Sequence, residues 1–132
     1  MRLTDSIGSR VSEFEGEGLK MEKGRKMIYI GNAKKIPVGE ARKFLYPVGD
    51  EKGTERPGIL IHLEDGFVAY DGLCTHMQAE VEWNRYTGKI WCTLHDGMYD
   101  PKTGRPFLGM PREPLKKIEL KIEENGEIYA II

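Results

Sequence analysis

The chain is poor in the residues that chemistry most often uses. Among its 132 residues only two are cysteine and three are histidine. It also lacks an excess of charge: 20 Lys and Arg against 21 Asp and Glu leave a net charge of −1. That balance argues against a nucleic-acid footprint or a polybasic membrane patch. No apolar run approaches the roughly 20 residues that span a bilayer. The opening MRLTDSIGSR has neither an apolar core nor a twin arginine, so no secretory signal is expected. No Gly-x-Gly-x-x-Gly follows a strand, which removes a dinucleotide site. What remains is an ordinary globular composition, 39% hydrophobic and 31% charged, at a length suited to one domain with its own core. A cytoplasmic location is expected, and there paired cysteines serve metals more often than disulfides.

The first 26 residues differ from the rest. Leu3, Ile7, Val11 and Phe14 recur at spacings that fit one stripe of a short amphipathic helix, with Thr4 or Asp5 as its N-cap. GEGLKMEKGRK then reads as a linker, so residues 1–26 are expected to be a helical or flexible extension and 27–132 the domain. From Met27 the pattern is β. MIYIG (27–31) opens it, and EARKFLYPV (40–48) alternates about Ala41, Lys43 and Leu45. GILIHL (58–63) is dense enough to be buried on both faces, and Glu64-Asp65-Gly66 turns it into the next strand, over 66–71. KIWC (89–92) follows Thr87-Gly88, and KKIELKIE (116–123) alternates at Ile118, Leu120 and Ile122. Asn125-Gly126, a strong hairpin signal, then turns the chain into EIYAII (127–132). At least seven short strands with frequent turns predict an all-β, antiparallel sandwich or barrel. GDEKGTERPG (49–58) is a polar loop within it.

Both cysteines and two of the three histidines fall inside one stretch, from Cys74-Thr75-His76 to Cys92-Thr93-Leu94-His95. Each half offers one thiolate and one imidazole just after a strand. Two loops that face each other would bring four ligands of type S2N2 together, a set that suits zinc or an iron–sulfur cluster. Structural zinc sites favour Cys-x2–4-Cys and His-x3–5-His knuckles, and a one-residue spacer is tight for chelating one ion. The spacing relaxes if each loop gives one ligand to each of two irons, with Cys74 and Cys92 on one and His76 and His95 on the other. A structural zinc module that binds other proteins, and two core cysteines with histidines nearby by chance, are the competing readings.

At this point the sequence resembles the Rieske-type ferredoxins. Their Cys-x-His, fifteen to seventeen residues, Cys-x-x-His pattern matches at 74–95. Tyr99-Asp100-Pro101-Lys102-Thr103-Gly104 stands where the family has an aromatic, Asp and then Thr-Gly, and Gly109-Met110-Pro111-Arg112-Glu113-Pro114-Leu115 fits its proline-bearing covering loop. Ile36-Pro37-Val38-Gly39-Glu40 is similar to its usual opening. The resemblance implies a Rieske-like β-sandwich or barrel with a small cluster-binding subdomain, whose loops lie around 74–79, 92–100 and 107–114. It implies one [2Fe-2S] cluster per chain, held by Cys74, His76, Cys92 and His95. Met77, Leu94, Asp96, Gly97, Met98, Tyr99 and Pro111 would surround it, Tyr99 donating to a cysteine sulfur. Trp83 and Trp91 read as packing residues, and His62 as a strand residue.

The departures from the family are equally informative. Asp96 precedes Gly97 where the family has Gly directly after the second His; Thr93 stands for a Pro and Gln78 for a Gly. The extra cysteine pair of quinol-oxidising complexes is missing, and Gly97 replaces their serine. The resemblance therefore implies a soluble one-electron carrier of the low-potential kind. It would not be an enzyme, and its partners would be reductase, oxygenase or other redox proteins rather than nucleic acid or membrane. The alternative is a ferredoxin-like small subunit of an oxygenase or nitrite reductase complex. A self-contained oxygenase needs a further iron on two histidines and a carboxylate, and only His62 is left over.

The ligand charges explain the redox behaviour expected. Two thiolates and two neutral imidazoles leave the oxidised site near neutral, so an electron enters more readily than with four thiolates, in a range of roughly −150 to +300 mV. With no serine hydrogen bond and the Asp96 charge nearby, the lower half of that range is expected. A redox titration giving a potential above about +150 mV would contradict this.

Overall fold

A computed structural model of the chain describes residues 19–22, 25–48, 54–75, 79–92, 97–108 and 113–132. The helix read over residues 3–14 lies outside them. In chain order the strands are β1 (Leu19–Glu22), β2 (Arg25–Asn32), β3 (Ala41–Pro47), β4 (Glu55–Leu63), β5 (Gly66–Asp71) and β6 (Val81–Asn84). They continue with β7 (Lys89–Cys92), β8 (Gly97–Tyr99), β9 (Pro106–Leu108), β10 (Glu119–Ile122) and β11 (Glu127–Ile131). A single 3-10 turn, Ala33–Lys35, is the helical element among the described residues. The all-β antiparallel expectation therefore holds.

The chain divides into two compact units. One joins its early residues, through Ala33, to the closing segment Glu119–Ile132, and the other is Lys34–Ile118. In the first, β1, β2, β11 and β10 form an antiparallel sheet in that order. The Asn125-Gly126 signal produces the β10–β11 hairpin. Gly126 sits at φ +94°, where a side chain would be strained, and Asn125 Oδ1 accepts from the Glu127 N–H at 3.1 Å. Strand β1 corrects the linker reading of GEGLKMEKGRK. Leu19–Glu22 pairs with β2 in the register Leu19↔Ile28 to Glu22↔Arg25, so a stretch too short and too charged to signal a strand is recruited by its neighbour's edge.

The second unit holds two sheets, β3-β4-β5 and β6-β7-β8-β9. Strand β4 is the apolar run expected to be buried on both faces, and Ile59, Leu60 and Ile61 are all buried. In β3 the alternation resolves against Leu45, which is 59% exposed, while Tyr46 is buried. The reason is tertiary. Phe44 lies opposite Gly58, where an added Cβ would collide with its ring, and Tyr46 reaches a buried carboxylate. Elements of the two sheets are also tied to each other directly. Trp83 Nε1–H donates to the Gly39 carbonyl at 2.8 Å, and Lys43 reaches Glu80 at 2.7 Å and Glu82 at 2.5 Å. Burial opposes the Lys43 charge, but the two glutamates outweigh it and raise its pKa. Half-exposed ion pairs contribute little, so the tryptophan and its packing carry more of this brace.

Among the described residues Asp71 is the buried charge of the unit. Tyr46 O–H donates to its Oδ1 at 2.5 Å, and Arg56 grips both oxygens, at 2.8 and 2.6 Å. Burial alone would raise the carboxyl pKa, but the Arg56 and Tyr46 hydrogen bonds hold it below the ordinary value. Burial, and then Asp71, push the Tyr46 phenol up to about 12. These contacts fix the corner at which the chain leaves β5 for Cys74. The Asp71 N–H bonds the Lys116 carbonyl and the Gly72 N–H bonds the Pro57 carbonyl.

A carboxyl with a depressed folded pKa stabilises fully above its unfolded value and loses that contribution as pH falls through the folded one. Asp71→Asn is therefore expected to cost about 2–3 kcal/mol at neutral pH. The cost should shrink below the usual carboxylate range. Denaturant unfolding of both forms at neutral and acid pH checks this, and a penalty independent of pH would contradict the assignment.

Candidate metal centre

The first loop is closed at its root by backbone. Leu73 bridges Glu80, the Cys74 N–H donates to the Ala79 carbonyl at 2.6 Å, and the Val81 N–H donates to the Gly72 carbonyl at 2.8 Å. Cys74 thus ends an extended segment, and the chain returns at Ala79. The second loop has the same construction. Cys92 is the last residue of β7 and pairs with Gly97, the first of β8. Val81 is the register partner of Cys92, so the two roots stand on neighbouring strands. Both cysteines are fully buried, in one apolar cluster with Ile59, Val81, Ile90 and Tyr99.

Of the residues expected to form the centre, Cys74, Cys92, Gly97 and Tyr99 are described and come together. Gly97 lies buried opposite Cys92. His76, Met77, Leu94, His95, Asp96 and Pro111 lie outside the described residues. Met98 is half-buried between the buried Gly97 and Tyr99, and pairs with Trp91 and Leu108. His62 is a strand residue, as read: its Nδ1 lies 2.6 Å from the Ile36 carbonyl and its ring stacks on Phe67 at 3.9 Å.

Tyr99 brings a polar group to one of the sulfurs. Its hydroxyl lies 3.3 Å from Cys74 Sγ. It also accepts from the Thr75 N–H and meets Thr75 Oγ1, both at 3.0 Å. Burial first, and then the Cys74 contact, push its pKa up to about 12, so it keeps its proton. Thr75 is the residue that the sequence reading passed over. As the spacer in Cys-x-His it offers no signal of its own, yet its Oγ1–H donates to the Glu113 carbonyl at 3.0 Å. That bond anchors the first loop to the base of the proline-bearing segment. Gly104 supports the same base. It sits at φ +78°, a Cβ there would come 2.7 Å from the Tyr70 ring, and its carbonyl accepts from the Leu115 N–H.

Two fully buried thiols at adjacent loop roots, with a phenol O–H beside one of them, form a donor set suited to a thiolate-bound metal. Burial raises a lone thiol's pKa and keeps it inert, whereas metal coordination deprotonates it outright. The fold and these sulfurs describe a small all-β protein with two buried thiols able to bind a metal. Comparison with known proteins supplies the family. The model of the Rieske [2Fe-2S] domain matches residues 27–119. The ferredoxin component of a naphthalene 1,2-dioxygenase system from Pseudomonas aeruginosa is 35% identical over 58% of this chain and 78% of its own length. The cytochrome b6-f complex iron-sulfur subunit of Chlorobaculum tepidum is 26% identical over 77% of this chain and 52% of its own length. A chain in the complex of reduced oxygenase and oxidized ferredoxin of carbazole 1,9a-dioxygenase superposes with a TM-score of 0.64 at 25% identity, over 80% of this chain and 92% of that one. The ferredoxin of carbazole 1,9a-dioxygenase from Nocardioides aromaticivorans, at 20% identity, shares the fold with a TM-score of 0.61 over 79% of this chain and 95% of that one.

The chain belongs to the Rieske [2Fe-2S] family and binds one [2Fe-2S] cluster. That sets aside the zinc module and the chance grouping. The chain spans about half the length of the cytochrome b6-f subunit it matches, and 11% of the carotenoid phi-ring synthase of Chlorobaculum tepidum, to which it is 38% identical over 57% of its own residues. Among the described residues no helix is long and apolar enough to cross a membrane.

Proposed function

We propose that the chain is a soluble, cytoplasmic one-electron carrier, the ferredoxin component that exchanges electrons with a separate oxygenase or reductase protein and turns over no substrate itself. The observation that carries this reading is the pair of buried cysteines at adjacent loop roots, in a chain that matches most of the length of a dioxygenase ferredoxin. Cys74 and Cys92 would hold one iron, and His76 and His95, on the loops rooted there, the other. When bound, the cluster supplies a centre that gains or loses one electron. The protein's part is to bury the sulfurs, exclude water from them and place a phenol O–H next to Cys74. His62, the histidine outside the two cysteine loops, is engaged with Ile36 and Phe67 within the fold.

Reconstitution tests this. The cluster-loaded chain is combined with NADH, a ferredoxin reductase and the terminal oxygenase of a naphthalene 1,2-dioxygenase system, without that system's own ferredoxin. Turnover above the blank is expected, and it should vanish with Cys92→Ala. Loaded, reducible protein that supports no transfer to this oxygenase or to a nitrite reductase would contradict the carrier role.

A further inference from the structure

We propose that Thr75 is a positioning residue that governs how much of the Tyr99 hydroxyl proton reaches Cys74. The inference rests on the reading above, since its object is the sulfur assigned there to the cluster. The argument is one of counting protons. A hydroxyl has one proton to give and lone pairs with which to accept. Thr75 Oγ1 gives its proton to the Glu113 carbonyl, 3.0 Å away. With that proton engaged there, Thr75 Oγ1 acts as acceptor in its other contact, with the Tyr99 hydroxyl at 3.0 Å. The Tyr99 oxygen already accepts the Thr75 N–H, which fixes the phenol against this one residue. Tyr99 then has a single proton and two acceptors, Thr75 Oγ1 at 3.0 Å and Cys74 Sγ at 3.3 Å. A metal-bound cysteine is a thiolate and only accepts, so it cannot resolve the competition by donating.

The consequence is electrostatic. A hydrogen bond to a ligating sulfur draws charge from the metal and favours the reduced, more negative state. Any share of the proton that goes to Thr75 is withheld from that sulfur, and reduction becomes harder. The Glu113 carbonyl is what keeps Thr75 an acceptor. The base of the proline-bearing segment thus reaches the sulfur through two hydroxyls, with no charged group in the path.

Midpoint potentials of five forms test this: wild type, Thr75→Val, Thr75→Ser, Tyr99→Phe and the double variant Thr75→Val with Tyr99→Phe. Thr75→Val keeps the shape and removes the competing oxygen. It is expected to favour reduction about three- to tenfold, a rise of about 28–59 mV at 59 mV per tenfold for one electron. Thr75→Ser restores the hydroxyl and should return the wild-type value. Tyr99→Phe should lower the potential in both backgrounds, and by more when residue 75 is valine. A Thr75→Val potential that is unchanged or lower, or an equal effect of Tyr99→Phe in the two backgrounds, overturns the proposal. If Thr75→Val does not retain its cluster, Tyr99→Phe alone decides. A drop beyond about tenfold, 59 mV, in the otherwise wild-type chain would mean that the proton already sits on Cys74. A smaller drop supports the competition. Failure of the underlying reading looks different, because the wild-type protein would then show no reducible two-iron centre.

Discussion

The two buried sulfurs stand at the roots of two loops, and the backbone there sets how they sit beside one another. It does so through a few main-chain hydrogen bonds, Cys74 to Ala79, Val81 to Gly72, and the pairing of Cys92 with Gly97. The register of Val81 with Cys92 places the roots side by side. Much of the second unit serves this arrangement. The β3-β4-β5 sheet supplies Ile59 and Tyr70 to the apolar cluster in which both sulfurs lie. Glycine at 104 allows the Leu115 segment to pack on Tyr70.

The corner before Cys74 shows how buried charge is used away from the metal. Asp71 ends β5 in one sheet, and three residues later the chain places the buried Cys74 next to the other. Its hydrogen bonds from Tyr46 and Arg56 tie that corner to β3 and β4. A break here would displace the first loop's root without touching a cysteine. The Lys43 and Trp83 contacts hold β6 at the other end of the same loop. The first loop is thus anchored on both sides, by charge at one and by a tryptophan at the other.

Much of this was legible in the sequence, for reasons that are local. GILIHL and KIWC are runs whose apolar content specifies buried strands, and Asn125-Gly126 carries its own turn chemistry. The Cys-x-His and Cys-x-x-His spacings mark the two loops because each sets a thiol and an imidazole within a few residues of each other. What stayed hidden depends on distant partners. Leu45 and Tyr46 are both able to face a core, and the choice was made by Asp71, 25 residues further on. Strands β8 and β9 have three residues each, too few to show a period. Thr75 owes its importance to a carbonyl 38 residues away, and no spacing rule points to it.

The central claim is that Cys74 and Cys92 belong to a reducible [2Fe-2S] centre. An EPR spectrum of dithionite-reduced protein, with iron and zinc analysis of the same sample, tests it most directly. A rhombic signal from one unpaired electron, with about two irons per chain, is the result expected of a cluster held by two cysteines and two histidines. An EPR-silent sample with about one zinc per chain would make the site a structural metal knot and remove the electron-transfer account.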